Sequence, residues 1–177
     1  RELNEHTQPS EVESLLSLFS DPDGSPSDVG LISEAGLPAV ADPGARLVAL
    51  CHIHGIQVVP MVGPSSLMLA LMGSGLNGQC FAFCGYLPAK TDERRKAIRE
   101  IERRSSQLNQ TEMFIETPYR NDSMMADLLA ALQPKTRLCI AADITLPDET
   151  IMTRTVREWQ KSPVVIGKRP CVFLILA

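Results

Sequence analysis

The chain has 177 residues, which is enough for one large domain or two small ones. A hydrophobic share of 44% and a formal net charge of −4 indicate an ordinary soluble protein without an overall positive field for nucleic acid. The five cysteines are odd in number and form no CxxC pair, and no apolar run reaches membrane-spanning length. We therefore expect a cytoplasmic protein with reduced thiols, no metal site and no membrane partner.

The first half of the chain alternates helical and strand patterns. Helices are predicted over 11–19, 45–54 and 65–72, and short strands over 29–33 and 56–61. This α-β-α-β-α order with short connections favours parallel strands. Because the chain begins at Arg1 and has no strand before its first helix, we expect an N-terminal portion to be absent.

The second half predicts a mixed sheet with helices. A strand over 81–84 is followed by the segment GYLPAK, where we place a boundary between domains 1–84 and 85–177. Beyond it, helices are predicted over 92–104 and 121–132, a turn over 156–160, and strands over 111–116, 136–143, 150–155 and 171–177. Some antiparallel pairing is expected among these strands.

Loops of small residues, acids and prolines follow both strands predicted in the first half. Their sequences are SEAGLPAVADPG at 33–44 and PMVGPSS at 60–66. Open α/β sheets bind small molecules at the carboxyl ends of their strands, and small residues let main-chain groups reach the ligand. The two loops therefore predict two walls of one pocket for a nucleoside-like cofactor.

Individual residues of these loops have more than one interpretation. Glu34 suits a ribose diol, and a helix cap or an ion pair with Arg46 is equally well supported. Asp42 is better explained as a helix N-cap, with Pro43 at the first helical position. The N–H groups that follow Gly63 can hold a polar ligand, and simple capping is the alternative.

The segment 116–120 (ETPYR) places an acid, a hydroxyl, an aromatic ring and a base within five positions. We slightly favour a substrate-phosphate contact for Arg120 over its pairing with Glu116 or Asp122 in a plain turn. Six basic residues at positions 94–104 have helical spacing and form a candidate RNA-binding face. The interleaved glutamates favour a solvated helix face instead.

Several common catalytic motifs are absent from the chain. It contains no GxSxG, Walker, GxGxxG or HExxH sequence, so hydrolase, P-loop and Rossmann-dehydrogenase interpretations lose support. His52 and His54 stand two residues apart on a predicted helix and face different ways, which argues against one shared metal.

Taken together, these segments resemble the tetrapyrrole methylase superfamily, the class III S-adenosylmethionine-dependent methyltransferases. The resemblance is greatest to the branch that methylates cytidine 2′-hydroxyls of bacterial small-subunit ribosomal RNA. It is carried, in order along the chain, by 33–38, 42–44, 62–65, 85–90, 116–120 and the pair Glu149-Thr150. Each motif alone is weak, whereas the ordered series is specific.

The resemblance implies a two-domain α/β fold, with a mostly parallel sheet in the first domain and a mixed sheet with helices in the second. It implies S-adenosylmethionine as cofactor and a homodimer. The implied cofactor residues are Glu34, Ala35, Gly36, Leu37, Pro38, Ser65, Ser66, Leu67, Ile115, Glu116, Ala142 and Pro170. Tyr119 and Arg120 are implied on the substrate side, and no residue is identified as the general base.

The chain departs from this branch at three places. Glu34 replaces an aspartate, Tyr119 replaces a histidine, and Arg169-Pro170 replaces Gly-Glu. We expect a methyltransferase whose acceptor is an RNA ribose hydroxyl, with ribosomal RNA as a partner. The alternatives are the same fold acting on a tetrapyrrole or another small molecule, and a non-catalytic relative that binds the cofactor.

Overall fold

The structure is a computed structural model that describes residues 1–177, which form two compact units, 1–65 and 66–177. The first unit contains helix α1 (Pro9–Ser14), a 3₁₀ helix (Leu15–Phe19) and helix α2 (Ala45–Ile53). Its small core consists of apolar side chains from these three elements, namely Val12, Leu15, Leu47 and Cys51. The predicted helices of this unit are thus present, although the first is shorter and ends in a 3₁₀ turn.

The two strands predicted in the first unit are absent. Residues 29–33 and 56–61 are not strands, and the only β-pairing in this unit is the isolated bridge between Ser20 and Pro26. A strand exists only where a neighbour completes its ladder, and apolar composition alone does not supply that neighbour. Ile32 and Met61 are correspondingly exposed. The prediction of a parallel sheet is therefore wrong for residues 1–65.

The second unit is a five-stranded mixed sheet covered by helices on both faces. Its elements are α3 (Ser66–Ser74), β1 (Phe81–Tyr86), α4 (Thr91–Leu108), β2 (Thr111–Ile115), a 3₁₀ helix (Pro118–Arg120), α5 (Asn121–Ala131), β3 (Arg137–Ala142), β4 (Thr150–Thr155), α6 (Val156–Lys161) and β5 (Cys171–Leu176). The strand order is β1-β2-β5-β3-β4. None of the helices in the chain combines the length and apolar character needed to cross a membrane.

The strand β5 lies at the centre of this sheet and is buried along its whole length. It pairs in antiparallel fashion with β2 on one side and β3 on the other, while β1 and β2 are parallel. Its alternate side chains enter two cores: Phe173 packs with α4, α5 and α6, and Leu174 packs with α3. The expected mixed sheet with antiparallel pairing is confirmed.

Most predicted elements of the second unit agree with the structure to within a few residues. The exception is 156–160, which is helix α6 and not a turn, because Thr155 and Glu158 form a capping box at its start. The strand β1 pairs with β2, so residues 66–84 belong to the second compact unit. The domain boundary at residue 85 stays a prediction.

Charged residues of α4 anchor this helix to the rest of the unit. Asp127 on α5 accepts hydrogen bonds from Nε of Arg94 and Nε of Arg95, both at 2.7 Å, and the side chains of Asp127 and Arg94 are almost fully buried. Arg104 forms an ion pair with the buried Glu112 of β2. Four of the six basic residues of this helix thus pair with carboxylates, since Arg103 also pairs with Glu100. This arrangement favours a structural role for the helix over RNA binding.

A partly buried thiol, that of Cys84, lies beside the ion pair of Arg104 and Glu112. Cys84 on β1 lies 3.1 Å from Oε2 of Glu112 and 3.1 Å from Nη2 of Arg104. Burial and the neighbouring carboxylate raise the pKa of Cys84 to about 12. Although burial opposes its ionisation, the bonds from Arg104 and Cys84 lower the pKa of Glu112. The cluster therefore holds a carboxylate and a neutral thiol at neutral pH.

We predict that Asp127→Asn lowers the free energy of unfolding by about 3 kcal/mol, because it leaves the buried guanidinium of Arg94 without its counter-charge. Urea titration followed by circular dichroism measures the change. Glu100→Gln, which removes an exposed partner of Arg103 on the same helix, is the matched control and should leave stability unchanged. Equal effects of the two substitutions would contradict this interpretation.

We also predict that the stability supplied by the protonated Cys84 is lost as the pH rises from about 9 towards 12. The pKa of Cys84 is higher in the folded chain, so the folded state holds the proton more tightly and the unfolded state loses it first. Thermal unfolding at pH 8 and pH 10.5 should show a smaller fall in Tm for Cys84→Ser than for the wild type. Equal falls in Tm for the wild type and Cys84→Ser would contradict the raised pKa of Cys84.

Candidate functional site

The pairing of the central strand brings three parts of the chain to one edge of the sheet. In the ladders, Ile115 of β2 faces Val172, and Ala142 of β3 faces Cys171. The residues after β2, the residues after β3 and the residues before β5 therefore meet at this edge. A cavity of about 370 Å³ opens there. It is lined by Ser66, Ile115, Glu116, Pro118, Ala141, Asp143, Ile144, Leu146, Pro170, Cys171 and Val172.

The structure brings four of the predicted cofactor residues together in this cavity: Ser66, Ile115, Glu116 and Pro170. Ala142 does not line it, because successive side chains of a strand point to opposite faces. Ala142 packs in the core on the far face, whereas Ala141 and Asp143 on either side of it line the cavity. Leu67 is buried in the core between α3 and the sheet.

The remaining predicted cofactor residues belong to the first unit. Glu34 and Ala35 are exposed and line a second cavity of about 670 Å³, formed by residues 1–43 only. Gly36, Leu37 and Pro38 follow them in the same loop, and Ser65 is the last residue of the unit. The placement of these residues in a cofactor site stays a prediction.

The start of α2 differs from its prediction. Gly44, and not Asp42, is the N-cap residue, and it has a φ of 132°. A Cβ atom on Gly44 would lie 2.7 Å from a methyl carbon of Leu31. The methyl group of Leu31 is the end of a flexible side chain and can move, so it is the positive φ that favours glycine at this turn. Because Gly44 is itself the N-cap residue, the capping assigned to Asp42 is wrong.

The carboxylate of Glu116 is the most unusual group in the cavity of the second unit. Its Oε1 accepts hydrogen bonds from the N–H of Thr117 at 2.7 Å and from Nε and Nη2 of Arg120 at 3.0 and 2.7 Å. Its Oε2 is buried and has no partner. An unpaired buried acceptor of this kind costs about 1–3 kcal/mol, and a ligand that supplies a donor would recover that cost.

The segment that follows β2 presents one aromatic ring to solvent. Tyr119 is 80% exposed, and Nζ of Lys168 lies 5.0 Å from its ring centroid. The loop that carries Lys168 is fixed to α5, because Oδ1 of Asp122 accepts the N–H groups of Ile166 and Gly167. Arg120 is paired with Glu116, which was the less favoured alternative in the sequence.

The opposite wall of the cavity is the segment 143–149 between β3 and β4. Asp143 and Thr145 both have a positive φ, 51° and 72°, and the N–H of Asp143 donates to the carbonyl of Pro170 at 3.0 Å. The carboxylate of Asp143 pairs with Arg169. Sequence reasoning missed Asp143, although an acidic residue directly after the apolar run LCIAA marks the end of a buried strand.

One cysteine, Cys171, also lines the cavity. Burial raises the pKa of Cys171 to about 12, so this cavity thiol stays protonated near neutral pH and is a poor nucleophile. No group of three or more His, Cys, Asp and Glu side chains is arranged to hold a metal ion. The lining residues are largely apolar and include two carboxylates, which is a typical lining for an organic ligand.

Curated relatives match most of this chain. It is 39% identical over 158 residues to a ribosomal RNA small subunit methyltransferase I from Neisseria meningitidis serogroup B. The matched residues cover 89% of this chain and 51% of that protein. It is 33% identical over 156 residues to the protein of the same name from Escherichia coli O157:H7, covering 88% of the chain and 52% of that protein. The chain thus spans about half the length of these relatives.

Solved structures share the fold at low sequence identity. The methyltransferase CobJ aligns with a TM-score of 0.55 and 14% identity, over 96% of this chain and 87% of that one. A conserved hypothetical protein from Aeropyrum pernix K1 aligns with a TM-score of 0.56 and 16% identity, over 81% and 56%. The family model for tetrapyrrole (corrin/porphyrin) methylases matches residues 13–160. The chain belongs to the tetrapyrrole (corrin/porphyrin) methylase family.

Proposed function

We propose that the protein is an S-adenosylmethionine-dependent methyltransferase and that the cavity of the second unit holds part of the cofactor. The observation that carries this proposal is the unpartnered Oε2 of Glu116 beside a mostly apolar cavity. A nucleoside supplies both a polar edge with donors and a broad apolar face, so its chemistry fits these residues. Family membership and the names of the curated relatives support the same activity.

The residues of the cavity suit the binding and orientation of such a cofactor. Ile115, Ile144 and Pro170 offer apolar surface that excludes water. The side chain of Glu116 is fully buried, so a hydroxyl or amino group of the ligand would reach its Oε2 after a small shift of the residues that cover it. When bound there, S-adenosylmethionine would supply an electrophilic methyl group for in-line displacement, with its sulfur as the leaving group and the acceptor proton passing to a base. The contribution of the protein is alignment, which accounts for large rate effects in displacements of this kind.

We propose an RNA ribose 2′-hydroxyl as the acceptor. The curated relatives are named for ribosomal RNA, which supports this substrate class. The exposed ring of Tyr119 and the ammonium of Lys168 provide a stacking surface for a base and a cation for phosphate, next to Pro118 at the cavity. Arg120 contributes on this side by holding Glu116 in place and fixing the turn that carries Tyr119.

The finer points implied by the family resemblance are also proposals. We propose that the protein is a homodimer and that residues 34–38 and Ser65 take part in binding the cofactor. A domain boundary at residue 85 is proposed on the same basis. A tetrapyrrole acceptor remains the second candidate, because the family model is named for corrin and porphyrin methylases.

We predict that Ser66→Trp abolishes cofactor binding, because Ser66 is exposed, lines the cavity, and an indole there would fill it. Isothermal titration of S-adenosylmethionine into the protein measures the effect. Ser106→Trp places the same ring on an exposed position of α4 outside the cavity and is the matched control. Unchanged affinity in Ser66→Trp, or no saturable binding by the wild type, would contradict the proposed function.

We predict that Tyr119→Ala lowers kcat/KM for an RNA acceptor by about tenfold, since loss of one base stack costs about 1–3 kcal/mol. Tyr119→Trp should retain activity because it keeps an exposed ring. The Kd of S-adenosylmethionine, measured by titration in parallel, should not change in either variant. If Tyr119→Ala is as active as the wild type on RNA, Tyr119 is not part of the acceptor surface.

A further inference from the structure

The two carboxylates that line the cavity of the second unit are both paired with an arginine that does not line it. Glu116 is bound by Arg120, and Asp143 is bound by Nε of Arg169. The other lining residues carry no charge. The charge that a ligand meets in this cavity is therefore set by two carboxylates and by the arginines that offset them.

Arg169 is held firmly against the segment that forms one wall. Its Nη2 donates to the carbonyl of Asp148 at 2.5 Å and to Oγ1 of Thr150 at 3.2 Å. Asp143 itself is fixed through its N–H, which donates to the carbonyl of Pro170 at 3.0 Å. The ion pair thus has a defined geometry, and both of its side chains are largely shielded from solvent. Charges in such a setting interact more strongly than charges in bulk water.

We propose that the pair Arg169–Asp143 determines how strongly the cavity prefers a cationic cofactor over its neutral product. This inference rests on the proposed function. The sulfonium of S-adenosylmethionine carries one positive charge that the thioether of S-adenosylhomocysteine lacks. The positive charge of Arg169 offsets the attraction between Asp143 and the sulfonium. It therefore reduces the preference of the cavity for S-adenosylmethionine over S-adenosylhomocysteine.

Arg169 is better suited to this role than Arg120. Arg120 also fixes the turn that carries Tyr119, so its replacement would disturb the proposed acceptor surface. The guanidinium of Arg169 bonds only to residues of the segment 143–150, and the bond that its main-chain carbonyl accepts from Asn121 does not depend on the side chain. Its replacement leaves the second pair, Glu116–Arg120, in place. Arg169 and Asp143 are accordingly specificity-determining residues, and they are not assigned a part in the transfer step.

The test is the ratio of two dissociation constants, Kd of S-adenosylhomocysteine over Kd of S-adenosylmethionine, measured by calorimetry. Arg169→Met should raise this ratio by about tenfold, because the carboxylate of Asp143 is no longer offset. Asp143→Asn should lower it by about tenfold, because the guanidinium is then uncompensated. Arg169→Lys keeps the charge and should keep the ratio. Arg103→Met, which removes an exposed arginine of α4, is the matched control and should not change it.

The outcomes separate this inference from the proposed function. If Arg169→Met and Asp143→Asn weaken both ligands equally, the pair is only structural and the inference is wrong. If the wild type binds neither ligand, the proposed function fails and the inference fails with it. Where Arg169→Met does not fold, as judged by circular dichroism, the ratio for Asp143→Asn still decides: a fall supports the inference, and no change overturns it.

Discussion

The antiparallel pairing of β5 with both β2 and β3 is the constraint from which the candidate site follows. Because both neighbours run opposite to β5, their carboxyl ends lie at the edge where β5 begins. Glu116, Asp143 and Pro170 are far apart in sequence, yet they line one cavity for this reason. The burial of β5 on both faces makes this register hard to change, since a slip of one residue would exchange its two cores.

Buried charge is used in two different ways in the second unit. The pair of Asp127 with Arg94 and the pair of Glu112 with Arg104 have their carboxylates engaged by protein donors, and they hold α4 against α5 and the sheet. At the cavity, Glu116 keeps one oxygen without a donor. Natural interiors satisfy nearly all such atoms, so an exception at a cavity indicates a place where a ligand completes the bonding.

The sequence predicted the second unit well because its signals are local. Apolar runs of strand length and the strong helical periodicity of α4 specify their elements without reference to the rest of the fold. The strands predicted at 29–33 and 56–61 failed because pairing depends on a neighbouring strand, which local composition does not encode. The predicted N-cap of α2 was wrong because the backbone conformation of Gly44, with its φ of 132°, is visible only in three dimensions.

The candidate site was predicted only in part, because some of its residues are defined by contacts between distant parts of the chain. Glu116 and Pro170 follow from family motifs and strand ends, and both line the cavity. Asp143 was missed because its importance depends on its pairing with Arg169, 26 positions further along the chain. The basic residues of α4 were a candidate RNA-binding face, and a solvated helix face was the favoured interpretation. Their side-chain partners, such as Asp127 and Glu112, decide their role, and a sequence pattern does not reveal these partners.

We propose that the cavity beside Glu116 holds the nucleoside part of the cofactor. A crystal structure of the protein grown with S-adenosylhomocysteine tests it most directly. We expect electron density for the ligand between Ile115 and Pro170, with a ligand donor within hydrogen-bond distance of Oε2 of Glu116. Ligand density at another place, with this cavity empty and Oε2 still without a donor, would contradict it.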